Sequence, residues 1–216
     1  MHRLLALDLS TKTGWAFFTS TSISDNKSLQ PFKLEEYGLI TLNQKILDFP
    51  GDYPENVKRA CWAQTNGVVE LIERLRPDTI VIEDTVPGRQ ALSQRFLEWY
   101  HYSLLSSIDS EFVPGAISRV VYIKTGVWRQ TVGLKQSKQD AKNNKMANKI
   151  KELSPTMQRE MRKSTGVKGK TTKKHLAVRM VNERFGLSFK VKDNDIADSI
   201  LLGLAFIQGA PACDGT

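Results

Sequence analysis

The apolar run Leu4-Leu5-Ala6-Leu7 ends in Asp8, and this junction of a hydrophobic stretch with an acid constrains the chain more than any other feature. Apolar residues in unbroken succession describe a strand covered on both faces. A carboxylate at the end of such a strand is costly to bury without a partner. Ser10-Thr11-Lys12-Thr13-Gly14 then turns the chain into a second apolar run, Trp15-Ala16-Phe17-Phe18, which predicts a β-hairpin with Asp8 near its apex. A core strand has no need of an acid there. A metal or phosphate site does.

The same ending recurs downstream. Thr79-Ile80-Val81-Ile82 reads as a buried strand that runs into Glu83-Asp84. Between the two, a polar loop over 19–33 precedes a strand at 36–42. A helix over 54–76 follows, with Val57, Cys61, Val68, Ile72 and Leu75 on one face and Pro77 as its stop. Beyond a turn at Thr85 to Gly88, a second helix spans 89–107 with an apolar stripe of Leu92, Phe96, Trp99, Tyr100 and Leu104. A fifth strand is expected at 119–123. Thr171 or Thr172 caps a helix that Gly186 ends, with Leu176, Met180 and Val181 inward. The last helix begins near Asn194, where Asp195 and Asp198 stand three apart and share one face. Strands joined by helical crossovers imply an α/β fold, a mixed sheet covered by helices.

With 216 residues, 40% of them hydrophobic, the chain can bury a core as one domain and is not disordered. Its longest apolar stretch, near 200–207, falls short of the roughly 20 residues that span a bilayer. The expected setting is cytoplasmic, because the first strand leaves no room for a signal or transit peptide. Cys61 and Cys213 are too few for a disulfide framework, which fits a reducing compartment. The formal charge is +8, and its distribution is uneven: 14 basic residues between 135 and 179 face only Asp140, Glu152 and Glu160. A segment at about 134–170, rich in Lys, Asn, Gln and Ser, is expected to be a basic, partly helical and mobile insertion that binds a polyanion.

If the strands ending in Asp8 and Glu83 are neighbours and the last helix crosses them, four carboxylates converge. Two carboxylates about 4 Å apart repel by roughly 4 kcal/mol at an effective dielectric near 20. A cation or a shared proton has to hold such a cluster together, and oxygen-only ligands select magnesium or manganese. Each acid taken alone is more often a cap, a turn former or a salt-bridge partner. Together, and beside a lysine-rich segment, they point to cleavage of nucleic acid.

Leu7-Asp8-Leu9-Ser10-Thr11-Lys12-Thr13-Gly14-Trp15, Ile82-Glu83 and Asp195-Ile196-Ala197-Asp198-Ser199-Ile200 resemble the active-site motifs of RuvC-like Holliday-junction resolvases, within the ribonuclease H-like superfamily. The resemblance implies a ribonuclease H-like mixed five-stranded sheet and a nuclease domain over 1–216. It also implies two Mg2+ ions, with Mn2+ as substitute, held by Asp8, Glu83, Asp195 and Asp198. Arg129-Gln130-Thr131-Val132 resembles the family's Lys-Gln-Thr-Val stretch, and Lys174 looks like a family lysine near the scissile bond. Lys12, Arg129, Lys135, Lys138, Lys168, Lys170, Lys173 and Lys174 are the candidate DNA contacts. The partners implied are a four-way junction and a second copy of the chain, since a near two-fold junction cut in pairs needs two sites. The helix over 89–107 is the candidate dimer interface. Bacterial members lack the basic stretch 134–170, which points to a phage or other viral branch, and the family's aromatic three residues after the glutamate is Val86 here.

Two other classes share some of these features. An actin-like or sugar-kinase-type ATPase also places an Asp before a Gly- and Thr-containing turn, but needs a second lobe and another phosphate loop. A binding module would carry the basic patch without cutting DNA.

Overall fold

A computed structural model describes residues 1–20, 32–84, 91–111, 119–167 and 169–213. The chain divides into two compact units, Met1–Val132 with Asp195–Thr216, and Gly133–Asn194.

The first unit is built on five strands: β1 (His2–Asp8), β2 (Lys12–Ser20), β3 (Lys33–Thr41), β4 (Thr79–Asp84) and β5 (Arg119–Lys124). They lie in the order β3-β2-β1-β4-β5. β1 is central because its apolar run fills both faces. It pairs antiparallel with β2 through the hairpin and parallel with β4. β3 is antiparallel to β2, and β5 is parallel to β4. The parallel pairs require crossovers, which α1 (Glu55–Leu75) and α2 (Ala91–Glu111) supply. The short α3 (Thr125–Thr131) follows β5, and α7 (Asn194–Ile207) closes the unit. This is the expected ribonuclease H-like arrangement, a mixed five-stranded sheet flanked by helices.

Period-two alternation sorts the side chains between the faces. Leu5, Leu7, Phe17, Ile80 and Ile82 pack with Val57, Cys61, Val68, Ile72 and Leu75 of α1 and with Phe96, Tyr100, Leu104 and Ile108 of α2. Leu4, Ala6, Phe18, Val81, Val121 and Ile123, also buried, alternate with that set and make the other face. There α7 presses so closely that a Cβ on Gly203 would stand 3.1 Å from Ala6 Cβ and collide with the Phe18 ring. Ala197, Ile200, Leu201 and Ala205 of α7 are fully buried.

Two expectations need adjustment. Trp99 is 37% exposed and does not join the core stripe of α2, which runs through positions 96, 100, 104 and 108 at four-residue intervals. The loop over 19–33 carries strand at both ends, because β2 reaches Ser20 and β3 starts at Lys33; residues 21–31 lie outside the described residues, as does the turn at Thr85 to Gly88.

The second unit is helical, with α4 (Lys138–Lys151), α5 (Pro155–Thr165) and α6 (Lys173–Phe185). It takes in the whole of 134–170 and continues through α6. Thr172 stands at the N-cap of α6, and Gly186 ends the helix with φ 66°. Ser137 caps α4: its Oγ accepts from the Asp140 N–H at 3.0 Å, and the Asp140 carboxylate accepts from the Ser137 N–H at 3.1 Å. Arg179 of α6 donates to the same carboxylate through both terminal nitrogens, at 2.8 and 3.3 Å, and so ties α6 to the start of α4. These bonds hold the Asp140 carboxyl well below the ordinary aspartate range, the Arg179 guanidinium contributing most.

Two tests follow from these contacts. Gly14, opposite Asp8 in the hairpin, has no room for a side chain, because a Cβ there would run into the Asp195 carbonyl of α7. Gly14→Ala should cost about 1–3 kcal/mol in urea unfolding, the usual range for overpacking. Asp140→Asn should lower the melting temperature at pH 7. Because the folded-state value of Asp140 is depressed, the difference from wild type should be complete above about pH 4 and shrink as the pH falls towards that lowered value.

Candidate active site

Asp8 and Glu83 come together by register. β1 and β4 pair in parallel, Leu4 with Thr79 through Leu7 with Ile82, so the next residues along are Asp8 and Glu83. Both belong to the alternating set that includes Leu4, Ala6 and Val81, the face covered by α7. Asp195 and Asp198 sit at the start of α7, whose backbone at Asp195 and Ile196 lies directly on Gly14. A glycine at the hairpin's end therefore lets the helix deliver its first turn beside Asp8. The Asp8 carboxyl is raised well above the ordinary aspartate value, first by burial and then by the charges of Glu83, Asp198 and Asp195 in that order. The positive end of the α7 dipole faces this cluster and offsets part of the repulsion.

Two further groups complete the arrangement. Arg129 of α3 pairs with Asp198 at 3.6 Å, and its charge opposes the upward shift of Asp8. The guanidinium lies 4.9 Å from the ring of Trp128, which is fully buried and anchors α3. Thr125, at the start of α3, donates a short hydrogen bond to Glu83 Oε1. Sequence reasoning missed Thr125; its place one residue after a strand was the only available signal. It also missed the support beneath the hairpin. The buried Thr13 Oγ1 donates to the Ser10 carbonyl at 2.9 Å, accepts from Gln64 Nε2 at 2.9 Å and meets the Tyr100 hydroxyl at 3.0 Å. That network fixes the turn after Asp8 to α1 and α2.

The other candidates are distributed as follows. Lys12 is exposed at the start of β2. Lys135, Lys138, Lys170, Lys173 and Lys174 are exposed in the second unit, where Lys174 Nζ donates to Asn194 Oδ1 at 3.4 Å. Lys168 and Val86 lie outside the described residues. Asp84 faces away from the cluster: it accepts from Cys213 Sγ at 3.7 Å, and its charge acts on His101 and Tyr122. Asp193 accepts from the Lys190 N–H at 2.9 Å, a turn contact.

The donor set fits hard divalent cations in kind, being all oxygen and carrying excess negative charge. In the arrangement described, Glu83 is engaged by Thr125 and Asp198 by Arg129. Among the described residues, no three His, Cys, Asp or Glu side chains stand at the spacing that would enclose one ion.

No family model matches the sequence, and no curated protein matches it either. Solved structures do. RuvC of T. thermophilus in complex with a Holliday junction substrate superimposes with a TM-score of 0.55 at 13% identity, over 94% of this chain and 91% of that one. The chain is RuvC-like in fold. A second T. thermophilus RuvC structure gives a TM-score of 0.51 at 13% identity, over 94% and 92% of the two chains. The fowlpox virus resolvase, solved with Holliday junction DNA, gives 0.45 at 13% identity over 95% and 96%. In the RuvC fold of this chain, the carboxylate cluster sits where β1, β4 and the start of α7 meet.

A carboxylate whose folded-state value is raised costs stability once the pH exceeds its ordinary value near 3.9. Asp8→Asn should therefore stabilise the protein in chelator-containing buffer at pH 7, raising its melting temperature above that of wild type. The gain should vanish below about pH 4, which a melting series across pH would read directly.

Proposed function

We propose that this protein is a metal-dependent endonuclease that cuts phosphodiester bonds in branched DNA, with the four-way Holliday junction as its substrate and paired nicks as its product. The observation that carries the reading is the convergence of Asp8, Glu83, Asp195 and Asp198 at one end of a RuvC-like sheet. Asp8 and Glu83 from the strand ends, with Asp195 and Asp198 from α7, would hold two Mg2+ ions, for which Mn2+ substitutes. When bound, such ions activate a water and stabilise the leaving oxygen of the cleaved phosphodiester.

The chain's own residues do the rest. Thr125 orients Glu83 through its hydrogen bond. Arg129 balances the charge of Asp198 and Asp8, and its guanidinium suits a phosphate oxygen. Lys174 contacts the scissile region, while Lys12, Lys135, Lys138, Lys168, Lys170 and Lys173 meet phosphates of the bound arms. The Thr13–Gln64–Tyr100 network keeps Asp8 from moving when a strongly charged substrate arrives. Two copies are needed for paired nicks. The outer surface of α1 and α2, where Trp62, Trp99 and Tyr102 line one hollow and are 52%, 37% and 76% exposed, supplies the apolar area for a homodimer.

Four-way, flap and linear DNA incubated with Mg2+, Mn2+ or a chelator provide the test. The junction should be cut symmetrically with either metal and left intact with the chelator. Asp8→Asn, Glu83→Gln and Asp198→Asn should each lose more than the roughly hundredfold that removal of an outer metal partner costs. Asp8→Asn should meanwhile hold the junction at least as tightly as wild type, because it removes a negative charge. Full cleavage by any of these variants defeats the assignment; ATP turnover without cleavage would move the chain to the actin-like class.

A further inference from the structure

The two units carry opposite charge. Residues 133–194 hold 17 Lys and Arg against 5 Asp and Glu, a formal +12, while the rest of the chain holds 14 against 18, a formal −4. The unit that carries the carboxylate cluster therefore repels a polyanion as a whole, and the attraction has to come from the helical unit. Within that unit the charge is ordered. Lys138, Lys142, Lys145 and Lys149 of α4 are all exposed and recur at intervals of four, three and four residues. At 100° per residue they fall within an arc of about 60° and extend about 16 Å along the helix. Asp140, Ala147 and Ile150, the buried residues of α4, occupy the opposite side. The only acid of the helix is thus turned inward and neutralised by Arg179. Asn144 fixes the incoming loop from the flank, donating to the Thr171 carbonyl at 2.9 Å and accepting from the Thr171 N–H at 2.7 Å.

We propose that this lysine rail on α4 grips the phosphates of a double-stranded DNA arm and supplies sequence- and structure-independent affinity to the enzyme. The inference rests on the nucleic-acid reading above and deepens it. A rail of this length spans about five phosphates of one strand at 3.4 Å each along the duplex axis. Duplex rather than single strand is the occupant because α4 and α5 contain no Phe, Tyr or Trp, the unit's two aromatics, Phe185 and Phe189, being half-buried at and beyond the end of α6, and unpaired bases are held by stacking on aromatic rings. Four ammonium groups with no stacking partner contact a backbone and leave the bases unread. The rail should therefore act equally on a linear duplex and on a junction arm, leaving discrimination between them to the other unit.

The test is fluorescence anisotropy over a salt series, using full-length protein with a linear duplex, a four-way junction of the same arm sequence and a single strand. Wild type is compared with a variant carrying Lys→Gln at 138, 142, 145 and 149, and with the matching Lys→Arg variant. Circular dichroism checks that α4 persists. The Gln variant should lose at least about tenfold in affinity, by the same factor on duplex and junction, and its slope of log affinity against log salt should flatten by about 3 to 4. The Arg variant should bind as wild type does. An unchanged slope, or a loss confined to the junction or to the single strand, overturns the rail even where junction cleavage is intact. Binding of anionic vesicles that falls in the Gln variant while duplex binding stays constant overturns it in favour of a membrane surface. Wild-type protein that binds none of the three DNAs overturns the rail and the functional reading together, whereas normal rail behaviour without metal-dependent cleavage overturns the functional reading alone.

Discussion

Like charges do not gather unless the fold compels them, and here the compulsion is steric. The backbone of α7 at Asp195 rests on β2 at Gly14, the residue paired with Asp8 across the hairpin. That contact exists only because Gly14 lacks a Cβ. It is backed from beneath by Thr13, whose hydroxyl is bonded to Gln64 and Tyr100 of the two crossover helices. A second close approach, Gly203 on Ala6 and Phe18, fixes the far end of α7 on the same face. With both ends held, the helix cannot swing away to relieve the repulsion among its two acids, Asp8 and Glu83. Burial first, and then the charges of Glu83, Asp198 and Asp195, raise the Asp8 carboxyl well above the ordinary aspartate value.

Much of this was legible from the residue order. Strand ends announced Asp8 and Glu83 because an apolar run followed by an acid has few structural uses, and parallel pairing of adjacent strands then sets the two side by side. The stop of α6 followed from Gly186 as a C-cap, and the buried face of α1 from periodicity. What was not legible depends on direction rather than pattern. Trp99 lies one step from Tyr100, and only the roll of α2 decides which of the two enters the core. The pairing of Arg129 with Asp198, 69 positions away, was equally hidden, because a short helix gives no periodic signal for where a guanidinium points. The pairing of Asp140 with Arg179 is hidden for the same reason: 39 residues separate the partners, and both belong to a stretch whose composition suggests only solvent-exposed charge.

That hidden pair changes how the basic stretch is understood. Composition alone describes a basic, partly helical insertion without saying which residues face inward. The capping box at Ser137, the two bonds from Arg179 and the docking of Thr171 on Asn144 make it a built helical unit with a defined inside. Once Asp140, Ala147 and Ile150 are committed inward, the 3.6-residue period leaves the lysines on the opposite side. Order in the charge is thus a by-product of burying a small core, and a lysine-rich helix acquires a face.

Separation of charge between the units resolves a conflict that a single surface could not. A cluster of four carboxylates suits cations and repels phosphates, while under the proposed reading a substrate with one negative charge per phosphate has to be brought against it. Spreading lysines around the acids would pair them off, as Arg129 already pairs with Asp198, and would weaken the cluster's hold on a cation. The excess positive charge belongs instead to the unit inserted between Val132 and Asp195, where α4 presents its lysines on one face. The insertion point follows from the same logic. It lies between the helix that carries Arg129 and the helix that carries Asp198, two elements already held by their ion pair, so the added unit enters without interrupting the sheet.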